Sequence, residues 1–411
     1  MAVAGGGSPD VAPDPPLRVK LIWVAALYFA SGLPFGVANM LVPAFLRSEG
    51  AALEFIGRII SGIGLAWTLK FLWSPLVDRF GSRKSWIVPG QLAIAGITLF
   101  LIAADPRGAP LYLWVVLGLL ATASATQDIA VDAYTIELMG ARELGVASGV
   151  RATGYRVGLI VASGALVALA GPLGWSASFA VAAAIMVGAA IVTASAPRRA
   201  RLHRAQPLLE PARALLAMPS LWVVVMFVLA FKIGDLAMQA MVVPFWVDRG
   251  LTQAQMGLIG TLSIGAAVCG ALLGGVLTTR WGVYRSLWTL GLLQALSNLG
   301  YFAAARAGVP AEAVYAAAVI EQFTGGLGTA AFLAFLMSLC EKRYAATQYA
   351  VLSALFGLSR LIAGYWSGTL VEAIGYAGYF LLTFGFALPA FALVPLLRSV
   401  LERRGAQLSV A

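Results

Sequence analysis

In the run T-Q-D-I-A-V-D-A-Y, Asp128 and Asp132 stand four residues apart, and in the apolar run that follows come Arg151 and Arg156. If both runs are helical, each pair falls roughly on one face of its helix. The short charged corner between the runs makes the two helices antiparallel neighbours, so two acids confront two bases. The chemistry open to such a set is proton exchange at a carboxylate and retention of an anionic ligand by a guanidinium. Gln127 flanks the acids and offers an amide. Five further charges sit in equally apolar surroundings: Lys70, Lys232, Asp235, Glu321 and Arg360. Lys232 and Asp235, three apart, either neutralise one another or serve a ligand. Glu321, with Gln322 beside it, is a second proton-site candidate. Lys70, near a helix end, either snorkels to water or guards a gate.

The elements that must position these groups are membrane helices. The 411-residue chain is 60% hydrophobic and 11% charged, its mean hydropathy is +0.87, and its 45 glycines are spread through the apolar runs. No soluble fold hides that much apolar surface. Apolar runs of about 20 residues predict twelve spans, at 19–42, 53–72, 86–104, 111–136, 144–170 and 176–196, then 220–247, 254–279, 286–305, 312–339, 346–371 and 376–397. Residues 1–18, rich in Gly and Pro without a basic start or cleavage site, are expected to be a disordered cytosolic tail rather than a signal peptide. The nine charges inside spans would cost roughly 20 to 30 kcal/mol if left unpaired, more than the usual stability of a fold. They must therefore be paired or line a wet cavity.

Lys and Arg in short loops stay cytoplasmic. Of the 28 Lys and Arg, five lie in spans and only Arg47, Arg58, Arg107, Arg249 and Arg306 fall on one side of this map. The rest fall on the other, which places both termini in the cytosol. The net charge of +10 divides the same way, so a basic balance needs no nucleic-acid partner. The tract 197–219, with five Arg and the sole histidine, His203, is expected to be a cytosolic linker lying on anionic lipid, with a 399–411 tail at the other end.

Two matches recur 201 residues apart, Val42-Pro43 with Val243-Pro244 and Arg79-Phe80-Gly81 with Arg280-Trp281-Gly282. Others recur 204 apart: Arg156 with Arg360, Ser163-Gly164 with Ser367-Gly368, and Leu166-Val167 with Leu370-Val371. Two parallel six-helix halves, 19–196 and 220–398, follow. Between spans two and three, S-P-L-V-D-R-F-G-S-R-K resembles the G-x-x-x-D-R-x-G-R-R/K loop of the major facilitator superfamily, which implies an all-α polytopic fold of that type. In this loop Gly81 permits a sharp turn, Asp78 is placed to pair with a base or cap a helix, and Arg79, Arg83 and Lys84 hold the corner. The set, with Lys70, is expected to gate the cytosolic face. In the second half Thr279 stands where Asp78 would be, so that copy is degraded.

Other chemistry finds no support. There is no Walker loop, no metal-ligand set, no Ser-His-Asp triad and no cofactor motif. Cys269 and Cys340 are expected to pack as small apolar residues. Gly154-x3-Gly158, Gly270-x3-Gly274 and Gly364-x3-Gly368 are stripes for close helix contact within a chain expected to act as a monomer, not as an enzyme.

Three longer strings narrow the resemblance: K-F-L-W-S-P-L-V-D-R-F-G-S-R-K-S-W (70–86), E-Q-F-T-G-G-L-G-T-A-A-F-L-A-F-L-M-S-L-C (321–340) and A-T-Q-Y-A-V-L-S-A-L (346–355). Together with T-Q-D-I-A-V-D-A-Y, G-Y-R-V-G and Q-A-L-S-N-L-G (294–300), they resemble the AmpG-type muropeptide permeases, whose relatives include siderophore importers and the acetyl-CoA transporter. That resemblance implies proton-driven import of peptidoglycan fragments across the bacterial inner membrane by alternating access. On this reading Asp128, Asp132 and Glu321 carry protons, and Gln127, Arg151, Arg156, Lys232, Asp235, Gln239, Gln322 and Arg360 bind an anionic small-molecule or glycopeptide substrate. Trp67, Tyr155 and Trp366 offer aromatic faces to its sugars. A siderophore or other anionic conjugate as cargo, and a non-transporting scaffold locked by its buried charges, are the alternatives.

Overall fold

A computed structural model describes residues 15–410 apart from 52, 105–109, 198–209, 219, 252, 307, 308, 311 and 366, with some helical side chains also outside the description. Nearly all of the expected N-terminal tail and most of the linker therefore lie outside the described residues. Those described form twelve long helices, one short one and no strand. In the first half they are α1 (Leu17–Ser48), α2 (53–79), α3 (Arg83–Ala103), α4 (Pro110–Leu138), α5 (144–173) and α6 (175–194). In the second they are α7 (221–248), α8 (Gln253–Trp281), α9 (Val283–Ala304), α10 (Ala313–Leu339), α11 (345–374) and α12 (376–410), and a short helix, Glu210–Leu216, lies between the halves.

By length and composition, eight helical stretches of the described residues can each cross a membrane. One folds back at Gly174 (φ +81°) and another bends at Gly375 (φ +68°). They leave out α2, α9 and α11, whose apolar runs are interrupted by a 3-10 turn at Lys70–Leu72, by Gln294, Ser297 and Asn298, and by Thr347, Gln348 and Ser359. The backbone itself repeats. Positive-φ glycines recur as Gly50 with Gly250, Gly81 with Gly282 and Gly174 with Gly375, at offsets of 200 or 201 residues. Packing repeats with them: α1 on α5, α3 on α4 and α6, and α2 on α4 are matched by α7 on α11, α9 on α10 and α12, and α8 on α10.

The halves meet where α5 crosses α8 and α10, and where α11 crosses α2 and α4. The buried side chains divide in a way that gives the shape. One cluster, at the face where α1 begins and α12 ends, unites both halves through Tyr28, Val77, Tyr134, Phe227, Phe335 and Tyr349. Towards the other face the core splits into two separate clusters, one around Leu33, Phe45, Leu117 and Phe179, the other around Phe245, Tyr301 and Phe380. The molecule is thus joined at the terminal face and parted into two cores towards the far face. Large apolar side chains such as Ile22, Leu72, Leu111, Ile191 and Trp222 stay 63% or more exposed, as expected of helices whose outer surface meets acyl chains.

The expected pairing of spans four and five requires a correction. A tight corner does join α4 to α5, and the Arg151–Asp132 ion pair links them, but the close helix packing of α5 is on α1, α8 and α10 rather than on α4. The reason is its small residues: a Cβ at Gly154 would meet the Ala25 carbonyl at 2.7 Å, and one at Gly158 would meet Phe29 O and Leu33 N at 2.5 and 2.7 Å, so α1 comes closer than any side chain allows. Gly274 meets Leu327 of α10 in the same manner. These stripes are intramolecular contacts; Gly364 lies among residues whose side chains are outside the description, and Gly368 faces open space.

Candidate functional site

Two helices break where they carry a buried lysine. In α2 the 3-10 turn begins at Lys70, and in α7 the helix stops at Phe231 and restarts at Ile233, with Lys232 between. Broken helices free backbone polar groups, and in membranes such breaks line sites rather than lipid. Each lysine opens one of two charge clusters.

The first cluster centres on Asp132, 4% exposed. Tyr28 of α1 donates its hydroxyl to Oδ1 at 2.7 Å, Arg151 Nη2 pairs with Oδ1 at 3.0 Å, and Lys70 Nζ stands 3.6 Å from Oδ2. The Arg151 guanidinium lies between two aromatic faces, Tyr28 at 4.6 Å and Tyr349 of α11 at 4.7 Å. Since α11 belongs to the second half, Tyr349 closes this cluster across the seam. Asp128, one turn away, is half-buried, and its Oδ1 is buried with no hydrogen bond. Lys70, expected to snorkel or to serve the gate, does neither here: it is 8% exposed and turned to Asp132. Gln127 also departs from expectation. It is fully buried against α1, donating to the Ala30 carbonyl at 3.1 Å, which is a helix-packing position.

The second cluster lies in α7 and α10. Lys232 Nζ pairs with Asp235 Oδ2 at 3.1 Å and donates to Thr329 Oγ1 at 2.9 Å. Glu321 is 1% exposed, and neither of its oxygens accepts a hydrogen bond. Asp235 and Gln239 on α7 stand close enough to interact with it without forming a well-aligned hydrogen bond, and Lys232 lies nearby. Asp235 Oδ1 is likewise buried without a partner. Arg156 reaches this cluster from α5, donating to the Ala267 carbonyl of α8 at 2.6 Å. Gln322 is half-buried. The side chain of Arg360 and all of Trp366 lie outside the described residues. Trp67 and Tyr155 both border Phe35, at 5.0 and 6.0 Å between ring centroids, and Trp67 Nε1 is buried without an acceptor.

The clusters sit at different depths. Asp132 is six residues from the end of α4 at Leu138, roughly 9 Å along the axis, whereas Glu321 is eighteen residues from the matching end of α10 at Leu339, roughly 27 Å.

Below both clusters, at the terminal face, is a latch. Asp78 Oδ2 accepts from Thr347 N at 2.8 Å and Thr347 Oγ1 at 2.6 Å, and Oδ1 accepts from Ala346 N at 3.2 Å and Arg83 Nη2 at 2.8 Å. Asp78 of the first half therefore caps the first turn of α11 in the second, where orphan N–H groups and the positive dipole end favour a carboxylate. Arg83 also donates Nε to Glu137 at 2.8 Å and Nη1 to the Val77 carbonyl at 2.6 Å, which fixes the corner. Lys84 caps the end of α6, donating to the carbonyls of Ala194 and Ala196 at 2.7 Å each. Arg79 leans on the Phe80 ring, and Gly81 takes the positive φ (+67°) of the turn. The degraded copy keeps the geometry: Thr279 Oγ1 accepts from Val146 N at 2.7 Å, in the first turn of α5. Residues 78 and 279, and 146 and 347, are each 201 apart, so one seam has a charged cap and the other a neutral one.

Sequence reasoning missed Tyr28, Tyr349, Thr329 and Glu137. A lone Tyr or Thr in an apolar span carries no signal of its own, and Tyr349 stood inside a string quoted only for resemblance.

The Major Facilitator Superfamily model matches residues 24–234 and 225–409. The chain belongs to that superfamily of secondary transporters and, by its relatives, to the AmpG-type permeases. The Anhydromuropeptide permease of Escherichia coli K12 is 32% identical over 389 residues, covering 92% of this chain and 79% of its own length. The Rickettsia conorii protein named "Putative transporter AmpG 4" is 28% identical, with 90% and 94% covered. Among solved structures, the E. coli fucose:proton symporter superposes with a TM-score of 0.73 at 15% identity, over 92% of this chain and 98% of that one, and the human organic anion transporter MFSD10 with 0.73 at 14%, over 92% and 100%. These two likenesses bear on the fold alone.

Proposed function

We propose that the protein imports anhydromuropeptide-type glycopeptides into the cytosol together with protons, alternating between states open to either side, from the bacterial inner membrane with both termini cytosolic. The observation that carries this reading is the 32% identity to a permease of that name across nearly the whole chain. The geometry fits it. A molecule joined at the terminal face and parted at the far face is what a permease open to the periplasm requires, if the basic terminal face lies in the cytosol.

In this proposal Glu321 and Asp128 carry the proton, because each has a buried carboxylate oxygen that accepts no hydrogen bond. A buried carboxylate oxygen left unsatisfied is costly in the anion, and protonation relieves it. Asp132, which the sequence suggested as a third carrier, instead neutralises Arg151 and Lys70. Arg151 keeps a buried Nη1 without an acceptor, suited to a substrate carboxylate. Lys232, Asp235, Gln239 and Gln322, in the deeper cluster, are the groups the second half would offer to the substrate, and Trp67 and Tyr155 offer faces for sugar rings. The Asp78 corner holds the cytosolic side shut. The chain works as a monomer in contact with lipid, its halves bounded at 19–196 and 220–398 by the tails and the 197–219 linker.

Uptake of labelled anhydromuropeptide by proteoliposomes with an acidic exterior tests this. Accumulation that collapses when a protonophore removes the gradient is the expected result. Well-folded protein that ignores the muropeptide but takes up a labelled ferric siderophore would replace this cargo with the other.

A further inference from the structure

Arg156 stands on α5, in the first half, yet its guanidinium is docked in the second. Nη1 donates to the Ala267 carbonyl of α8 at 2.6 Å. That carbonyl faces α10 at close range: a Cβ on Gly326 would meet Ala267 O at 2.5 Å and Ala271 N at 2.8 Å. A carbonyl in mid-helix has a second lone pair beyond the one used by its own ladder, and Arg156 takes it. The positive charge is thereby held beside α10, with Glu321 and Asp235 its acidic neighbours.

Among the described residues, the groups facing Glu321 come from three helices. From α7 come Asp235, Lys232 and Gln239, from α9 the Tyr301 ring, and from α5 Arg156. Lys232 is held by Asp235 and Thr329, and all the α7 and α9 groups belong to the half that contains Glu321. They travel with it when the halves rock. Arg156 does not, because α5 is anchored to α1 through Gly154 and Gly158.

We propose that Arg156 is a positioning residue that reports the arrangement of the two halves to the Glu321 carboxyl. With α5 seated on α8, its charge lies beside the acid; when the seam shifts, that charge moves relative to Glu321 and the proton affinity of the carboxyl changes with it. This gives the proton a reason to leave on one side of the membrane only. The inference rests on the proton-coupled reading above, and it assigns Arg156 to coupling rather than to holding substrate.

The test uses the full chain in liposomes and two readouts. The first needs no substrate: the carboxylic-acid band in the infrared spectrum, followed against pH and assigned to Glu321 by its loss in Glu321→Gln. In Arg156→Gln the midpoint of that band is expected to move by about one pH unit or more, and in Arg156→Lys to return most of the way. Arg156→Met replaces the Gln variant should that protein not fold. The second is transport: gradient-driven accumulation is expected to fall at least tenfold further than substrate counterflow does. An unmoved midpoint would overturn the proposal, as would counterflow falling in step with accumulation, which would make Arg156 a substrate anchor. If wild-type vesicles fail to accumulate anhydromuropeptide, the cargo reading falls while the infrared midpoint still decides the role of Arg156.

Discussion

Asp132 receives Tyr28, Arg151 and Lys70, whereas Glu321, buried as deeply, accepts no hydrogen bond at either oxygen. Both acids stand in spans among two bases and a second acid, so composition does not separate them. Partnering does. An acid with an arginine and a lysine within 3.6 Å is stabilised as an anion and holds three helices together. An acid with no well-formed hydrogen bond is stabilised by taking a proton. The first arrangement resists change, and the second changes state at little structural cost, which is what a coupling site requires.

The largest expected effect follows from the paired acid. Asp132→Ala leaves Arg151 and Lys70 buried without their counter-ion and is expected to destabilise the protein by about 3 to 5 kcal/mol, read as a fall in thermal unfolding temperature in detergent. A fall no larger than that of Asp128→Ala would break the contrast. Next comes the charged latch. Asp78→Asn weakens charge-assisted hydrogen bonds to the first turn of α11, and is expected to cost about 2 kcal/mol of the closed state. Native Cys340, 4% exposed at the end of α10, reports this as faster labelling by a membrane-permeant maleimide. Thr279→Ala removes the neutral cap on α5 and is expected to raise Cys340 labelling less, in keeping with about 1 kcal/mol. Equal effects from the two variants would mean that charge does not set the strength of the seams. The smallest effect is that of Glu321→Gln on stability, less than about 1 kcal/mol in the same unfolding assay, because neither Glu321 oxygen accepts a well-formed hydrogen bond and the amide keeps an acceptor oxygen.

Much of this was legible in the sequence. Twelve apolar runs, the 201-residue repeat and the nine span charges mark the fold, and the Lys232–Asp235 pair follows from a spacing of three on a helix. What was not legible depends on which helices touch. Asp132 and Arg151 were read as facing neighbours across a corner. They do pair, but the tyrosine that completes the site comes from α1, 104 residues before Asp132, drawn in by glycines whose partners no single sequence names. Gln127 read as a ligand amide and proved to be buried against Ala30. Thr279 read as a lost motif, yet it keeps the hydrogen bond without the charge. In each case residue type was a fair guide to chemistry, and tertiary contact decided its use.

The division between a locked acid and a proton-carrying acid is tested most directly by gradient-driven uptake of labelled anhydromuropeptide in vesicles containing Glu321→Gln, with counterflow measured in the same preparation. The account predicts folded protein that exchanges substrate across the membrane and no longer concentrates it when the exterior is acid. Accumulation equal to wild type would contradict it and remove Glu321 from the path of the proton.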